Sequence, residues 1–307
     1  MSIARQLEPI IAAFRGRQPM RAKSLIITFF GDVVSQHGKE IWLGSAAQAL
    51  DELGVNDRLV RTSVFRLAKE GWLEVEREGR RSFYRFSNFG SLEYQRAAQR
   101  IYQADSEHWQ GGWQLLIPVG VAEDQRDDLR RSLNWLGFRA ISPGTYARPG
   151  GELDSVRDLL DEFRLETQVI LMDAETSPLT TKRALREVVS EHWQLDQLAA
   201  DYAALIKLFK PLEQALSRGA TPTPLEAFQA RLLLIHEYRR VLLRDTALPE
   251  DLLPARWQGT LARQTVASAY RSLAEASEAY VVGVMQNMQG TLPPAARSFR
   301  QRFGGLD

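Results

Sequence analysis

The chain has 307 residues, with 39 Lys plus Arg against 38 Asp plus Glu, and it contains no cysteine. A net charge of +1 leaves no whole-molecule field to attract a polyanion, so any such attraction must come from local patches. The missing cysteines exclude disulfides, thiol nucleophiles and thiolate metal sites.

The length fits two or three domains of about 100–200 residues each. The start, MSIARQLEPIIAAFRGRQPMRAK, has an apolar patch from Leu7 to Phe14, but Glu8 and Pro9 interrupt it and no small-residue cleavage pattern follows. No apolar run reaches the roughly 18 residues of a membrane span. The expectation is a cytoplasmic protein that does not enter a membrane. Residues 24 to 37, SLIITFFGDVVSQH, read as a buried helix capped by Ser24. EIWLG (40 to 44) reads as a short strand, and Ser45 as the cap of a second helix, AAQALDELG, stopped by Gly54. Asn56 and Asp57 open a third helix that ends at Gly71. WLEVERE and RSFYRF then alternate like the arms of a hairpin turned by Gly79 and Arg80.

Residues 91 to 107 read as a polar helical connector. WQLLIPVG is strand-like, DDLRRSLNWLG helical, FRAISPGTYARP strand-like, DSVRDLLDEF helical and TQVILMDAE a strand again, the order of a small ferredoxin-like layer. From Thr181 onward apolar positions recur at helical spacing, ending in a helix that reads LARQTVASAYRSLAEASEAYVVGVMQNM.

At 100° per residue, the helix after Asp57 puts Val60, Val64, Leu67 and Ala68 on one face. Arg58, Thr62, Phe65 and Lys69 fall opposite, flanked by Arg61 and Arg66. A helix built this way can enter a major groove, where Arg reaches guanine O6 and N7 and the Thr methyl meets thymine. Three helices and a hairpin make a winged helix-turn-helix. Its tip residues Arg77, Arg80, Arg81 and Ser82 would follow the phosphate backbone or the minor groove. Arg15, Arg17, Arg21 and Lys23 add local positive charge of the kind phosphate contact needs. A solvated arginine face is the bland alternative for the helix taken alone. Phe65 fits poorly on a reading face and has packing under the wing as its other option.

The stretch from Ser24 to Phe86, above all GDVVSQHG and VRTSVFRLAKEGWLEVEREGRRSFYRFS, and downstream LLLIHEYRRVLLRDTALPEDLLPARWQG, closely resembles the PaaX family of transcriptional repressors. The resemblance covers nearly the whole chain. It implies an α+β protein with an N-terminal basic segment and winged helix-turn-helix (1–90), a helical connector and central Cas2-like ferredoxin-like domain (91–180), and a C-terminal helical domain (181–307). It also implies a homodimeric, cytoplasmic repressor of phenylacetate catabolic genes that binds a double-stranded DNA operator. The effector that releases it would be phenylacetyl-CoA, an acyl-CoA, with no cofactor. Periodicity and spacing alone lead only to a cytosolic DNA-binding regulator.

Other chemistry is sparse. His37, His108, His192 and His236 are scattered, without metal-ligand spacing, and neither a phosphate loop nor a G-x-S-x-G elbow occurs. Because Cas2-type proteins can be metal-dependent nucleases, a nucleic-acid-processing enzyme is one rival; a winged-helix protein-interaction scaffold is another. The nuclease would need a carboxylate at the end of its first strand, where this chain has Pro118, Val119 and Gly120, while Asp124, Asp127 and Asp128 suit the start of the next helix. On HEYRR and beyond, His236, Arg239, Arg240 and Arg244 gather on one helix face, and Trp257 follows beside Arg256. Such arginines can grip the phosphates of coenzyme A, with Phe209, Tyr238 or Tyr202 for the phenyl end. The same cluster also fits an interdomain or dimer salt-bridge network. Tyr280, Val281, Val282 and Val284 suit either a dimer interface or an intramolecular core.

Overall fold

The computed structural model describes residues 2–17, 21–102, 109, 111–151 and 153–306; His108 and positions 103–107 of the expected connector lie outside the described residues. The chain begins with α1 (Ile3–Arg15), α2 (Ala22–Asp32), β1 (Glu40–Trp42), α3 (Leu43–Asp51), α4 (Asp57–Lys69), β2 (Leu73–Glu78), β3 (Arg81–Phe86) and α5 (Asn88–Tyr102). It continues with β4 (Gly112–Pro118), α6 (Glu123–Trp135), β5 (Arg139–Ser142), β6 (Thr145–Pro149), α7 (Asp154–Phe163), β7 (Val169–Glu175) and α8 (Lys182–His192). The last part holds α9 (Leu195–Ser217), α10 (Pro224–Leu242), α11 (Gln258–Val284), β8 (Gln286–Asn287), β9 (Gly290–Thr291) and α12 (Arg297–Arg300). Packing divides the chain into two units. The first comprises Met1–Ala104, Tyr202–Leu243 and Gly259–Asp307; the second comprises Asp105–Asp201 and Arg244–Gln258.

In the first unit, α10 is buried almost all round, from Ala227 to Leu242, which is why its apolar residues are not confined to one stripe, and Gln229, Arg231, His236 and Glu237 are buried among them. Its start is well specified: Thr223 and Glu226 form a reciprocal capping box around Pro224. Helix α2 is equally enclosed, with Leu25, Ile26, Phe29 and Phe30 all buried, and it packs on both α4 and α10. Gly31 is required in it, because an added Cβ would lie 2.0 Å from the Tyr94 ring of α5.

Neither predicted serine cap forms. Helix α2 begins at Ala22, two residues before Ser24, whose hydroxyl accepts from Arg239 Nη1 at 3.4 Å. Helix α3 begins at Leu43, and the buried Ser45 hydroxyl accepts the backbone N–H of Gln286 at 3.1 Å. Distant elements recruited both side chains. By contrast, the Asn56 cap on α4 does form, its side chain accepting from the Leu59 N–H at 3.0 Å.

Strands β1, β3 and β2 make an antiparallel sheet in that order, with Gly79 (φ 57°) opening the two-residue β2–β3 turn. Helix α11 stops at Val284, short of the predicted Met288, because the β8–β9 hairpin intervenes. Beyond it the tail returns to the segment after α2, where the Ala296 N–H donates to the Gln36 carbonyl at 2.8 Å. Val281 is fully buried and Tyr280 stacks on Phe228 at 4.8 Å, so both serve the core of this unit.

The second unit is a four-stranded antiparallel sheet ordered β5-β6-β4-β7. With α6 and α7 this is the β-α-β-β-α-β connection of a ferredoxin-like layer. The stretch predicted as one strand, FRAISPGTYARP, is two, because Pro143 and Gly144 (φ 74°) turn it into a hairpin. Leu116, Leu129, Leu133, Phe138, Val156 and Leu165 close its core.

Candidate nucleic-acid interface

Helix α4 divides as its periodicity requires. Val60, Val64 and Leu67 are buried, whereas Arg58, Arg61, Thr62, Phe65, Arg66 and Lys69 are exposed. Thr62 donates its hydroxyl hydrogen to the Arg58 carbonyl at 2.8 Å, so on this exposed side chain the oxygen is left as an acceptor. Arg61 pairs with Asp57 one turn earlier at 2.7 Å, an exposed contact that a phosphate displaces at little cost. Phe65 does not pack under the hairpin: 68 % of it is exposed, in the middle of the cationic face.

The hairpin has two electrostatically different faces. Arg77 lies opposite Ser82 on one of them, and Arg80 stands exposed in the turn. On the other, Glu74, Glu76 and Glu78 lie opposite Arg85, Phe83 and Arg81. There Arg85 bonds to Glu74 at 3.2 Å and Glu76 at 3.3 Å, and the Arg81 guanidinium sits 4.8 Å above the Trp42 ring. The glutamates repel phosphate, so the face available to a polyanion is that of Arg77 and Ser82.

Helix α2, on which α4 packs, ends in a buried charge network that periodicity does not reveal. Asp32, the last residue of α2, has no solvent exposure. Its Oδ1 accepts from the Tyr102 hydroxyl at 2.5 Å, Arg302 Nη1 at 2.8 Å and the Tyr270 hydroxyl at 2.9 Å, and its Oδ2 from Arg231 Nε at 3.0 Å. Arg231 also donates to Glu278 at 2.7 Å, and Glu278 contacts His37 at 3.1 Å. Burial pushes the Asp32 carboxyl up; Arg231 and Arg302, with the two tyrosine hydrogen bonds, more than reverse this and hold it below its ordinary value. Burial also pushes Tyr94 up to about 12 and Tyr102 well above its usual range, so both stay protonated donors. The available signal was a charge within an apolar run, as in SLIITFFGD and QARLLLI: such a charge is affordable in a core only when paired.

The residues expected to hold an acyl-CoA divide between the two units. His236, with 1 % exposure, lies edge-on to Phe14 at 5.5 Å and 3.4 Å from the Thr28 hydroxyl. Burial holds its imidazole down at about 4, so it is neutral at pH 7. Arg239 is mostly buried as well, and burial lowers its pKa. Arg240 Nε bonds to Glu237 at 3.2 Å, and Glu237 also receives Arg17 at 2.5 and 2.6 Å. These belong to the first unit. Arg244, bonded to Asp201 at 2.7 Å, and the buried Trp257 belong to the second. Phe209, Tyr238 and Tyr202 are core residues without an opening to solvent. Among the described residues, no group of three or more His, Asp or Glu is placed to hold a metal ion, and no helix is long and apolar enough to cross a membrane.

Residues 21–90 match the PaaX-like protein family, 106–186 the PaaX protein central Cas2-like domain, and 193–283 the PaaX-like protein C-terminal domain. The transcriptional repressor PaaX of Escherichia coli (strain K12) is 43% identical over 290 residues, which are 94% of this chain and 92% of that protein. The chain belongs to the PaaX family. Membership makes it a transcriptional regulator and not an enzyme, and its α+β fold with a Cas2-like centre is the one the family resemblance implied. A solved structure of an uncharacterised protein from Mycobacterium tuberculosis shares the fold at 20% identity, with a TM-score of 0.50 over 76% of this chain and 88% of that one.

Proposed function

We propose that this PaaX-family protein is a cytoplasmic, homodimeric repressor that binds a double-stranded operator upstream of phenylacetate catabolic genes and leaves it when phenylacetyl-CoA binds. The observation that carries the DNA part is the split surface of α4: one face anchored in the core, the other exposing Arg58, Thr62, Arg66 and Lys69, whose three cations form no ion pair among the described residues. On this reading α2, α3, α4 and the hairpin form a winged helix-turn-helix. Helix α4 lies in the major groove, where Arg58 and Arg66 donate to base edges and Phe65 and the Thr62 methyl touch thymine methyls. Arg61, Arg77, Arg80 and Ser82 follow the backbone, whereas Arg81, expected with them, lies on the glutamate face over the Trp42 ring. The functional division runs as 1–90 for DNA contact, 91–180 for the connector and Cas2-like domain, and 181–307 for the helical part.

Two copies would present their α4 helices to half-sites about 34 Å apart, or a multiple of that. Release requires the effector to bind the DNA-incompetent arrangement more tightly, with a coupling of about 1–3 kcal/mol. Arg240 is the accessible member of the HEYRR cluster and the substitution that tests it: if the cluster grips the thioester, Arg240→Ala weakens the response and leaves operator binding intact.

The deciding experiment is an electrophoretic shift on the upstream region of the neighbouring catabolic genes, with and without phenylacetyl-CoA, at several salt concentrations. A steep fall of log K with log salt and loss of the shifted band on adding thioester support the reading. A salt-independent band would instead point to a protein-interaction scaffold.

A further inference from the structure

Between the root of the β2–β3 hairpin and the C-terminal tail, the first unit carries a groove of about 1140 Å³. The volume is slightly above that of most small-molecule sites, which span about 300–1,000 Å³. Amides and hydroxyls predominate in its lining, among them Gln36, Gln95, Gln99, Gln301, Ser91 and Ser298. Three cations and one acid, Glu74, join them, and Arg302 is tied to the buried Asp32 at 2.8 Å. Arg85 is shared with Glu74 and Glu76, whereas the exposed Lys39 forms no ion pair among the described residues. Lys39 also has a left-handed backbone (φ 67°), directly after Gly38 at φ 80°. Strain of this kind persists where the surroundings hold a residue in place, and it recurs at ligand clamps.

The back wall leads to the network under α2. Tyr94 and Tyr102 line the groove, their hydroxyls 3.2 Å apart, and Tyr102 donates to Asp32. Arg85, Phe86 and Ser87 line it at the hairpin's base, and Ser87 in turn donates to the Gly71 carbonyl where the hairpin begins. Anything bound here touches the root of the hairpin and the wall that supports the end of α2. The residues expected to hold an acyl-CoA lack this position: His236 is sealed, and Arg244 and Trp257 belong to the other unit.

We propose that this groove is the effector site, and that it takes a polar, phosphate-bearing small molecule of nucleotide size, with Lys39 holding phosphate and the glutamines holding base and sugar. The assignment rests on the reading of the chain as a ligand-released repressor. A ligand that favours another separation of α5 and the hairpin root shifts the protein toward that state by its differential affinity.

The test is calorimetric titration of the full chain, without DNA, with phenylacetyl-CoA and with adenosine 3′,5′-bisphosphate. The parent is compared with Ala98→Trp, which fills the groove, and Lys39→Glu, which reverses its free cation. Both variants should lose affinity by about tenfold or more for each probe, while operator affinity without ligand stays within about twofold. Tight binding of both probes by both variants would overturn the placement and leave the effector reading standing. A parent that binds neither probe would overturn both. Variant-sensitive binding of the bisphosphate, with an operator complex indifferent to phenylacetyl-CoA, would keep the groove and remove the proposed effector.

Discussion

Replacing Arg302 with methionine probes whether the C-terminal tail stabilises the first unit. Arg302 donates to Asp32 at 2.8 Å and to the Tyr270 hydroxyl at 2.5 Å, and its guanidinium lies 4.0 Å above the Tyr102 ring. Methionine keeps much of the stem's volume and removes all three contacts. Asp32 remains tied to Arg231 at 3.0 Å and to two tyrosines. Even so, losing one partner of a buried charge network costs about 3–5 kcal/mol. For a unit of this size each kcal/mol lowers Tm by about 2–4 °C, so the expected fall is roughly 6–20 °C at pH 7 by scanning calorimetry. Because Asp32 is held below its ordinary value, its contribution is complete above about pH 4 and is lost as pH falls through its folded value. The gap between parent and variant should therefore narrow on acidification. A Tm fall below about 2 °C, or a gap that widens toward acid, would refute the assignment of stability to this network.

Arg66→Ala should cost about 1–3 kcal/mol of operator affinity and relax discrimination at one base pair, measured by fluorescence anisotropy on mutated operators. Arg80→Ala should weaken all sequences alike and flatten the slope of log K against log salt by about one. His236→Gln should remove an acid-side loss of stability. The parent's buried imidazole titrates at about 4, whereas the unfolded chain takes up its proton below about 6.5, so parent stability declines between those values and the variant's does not; urea melts at pH 7 and pH 4.5 decide it. Gly31→Ala places a Cβ 2.0 Å from the Tyr94 ring, which is stacked on Phe86 at 5.7 Å, and should destabilise by about 1–3 kcal/mol. A double-mutant cycle with Tyr94→Leu should recover part of that loss; strictly additive costs would mean the two residues do not collide.

Local physics made much of this molecule legible in its sequence. The faces of α4, its Asn56 cap, the Gly79 turn and the strand-helix order of the ferredoxin-like layer all depend on residues within a few positions of one another. Periodicity and turn chemistry report on such neighbours. The Pro143–Gly144 turn was equally local, and the strand reading passed over it. Other features depended on the tertiary structure alone. Ser24 and Ser45 look like caps until Arg239 and Gln286 arrive from the C-terminal half. Asp32 meets Arg231 and Arg302 across 199 and 270 positions, and the groove at the hairpin root exists only because the tail returns beside α5. A sequence determines which side chains need a partner, since a buried charge or an apolar face cannot remain alone. Which partner each one finds is decided when the packed core brings distant segments within a few ångströms, and no local period encodes that distance.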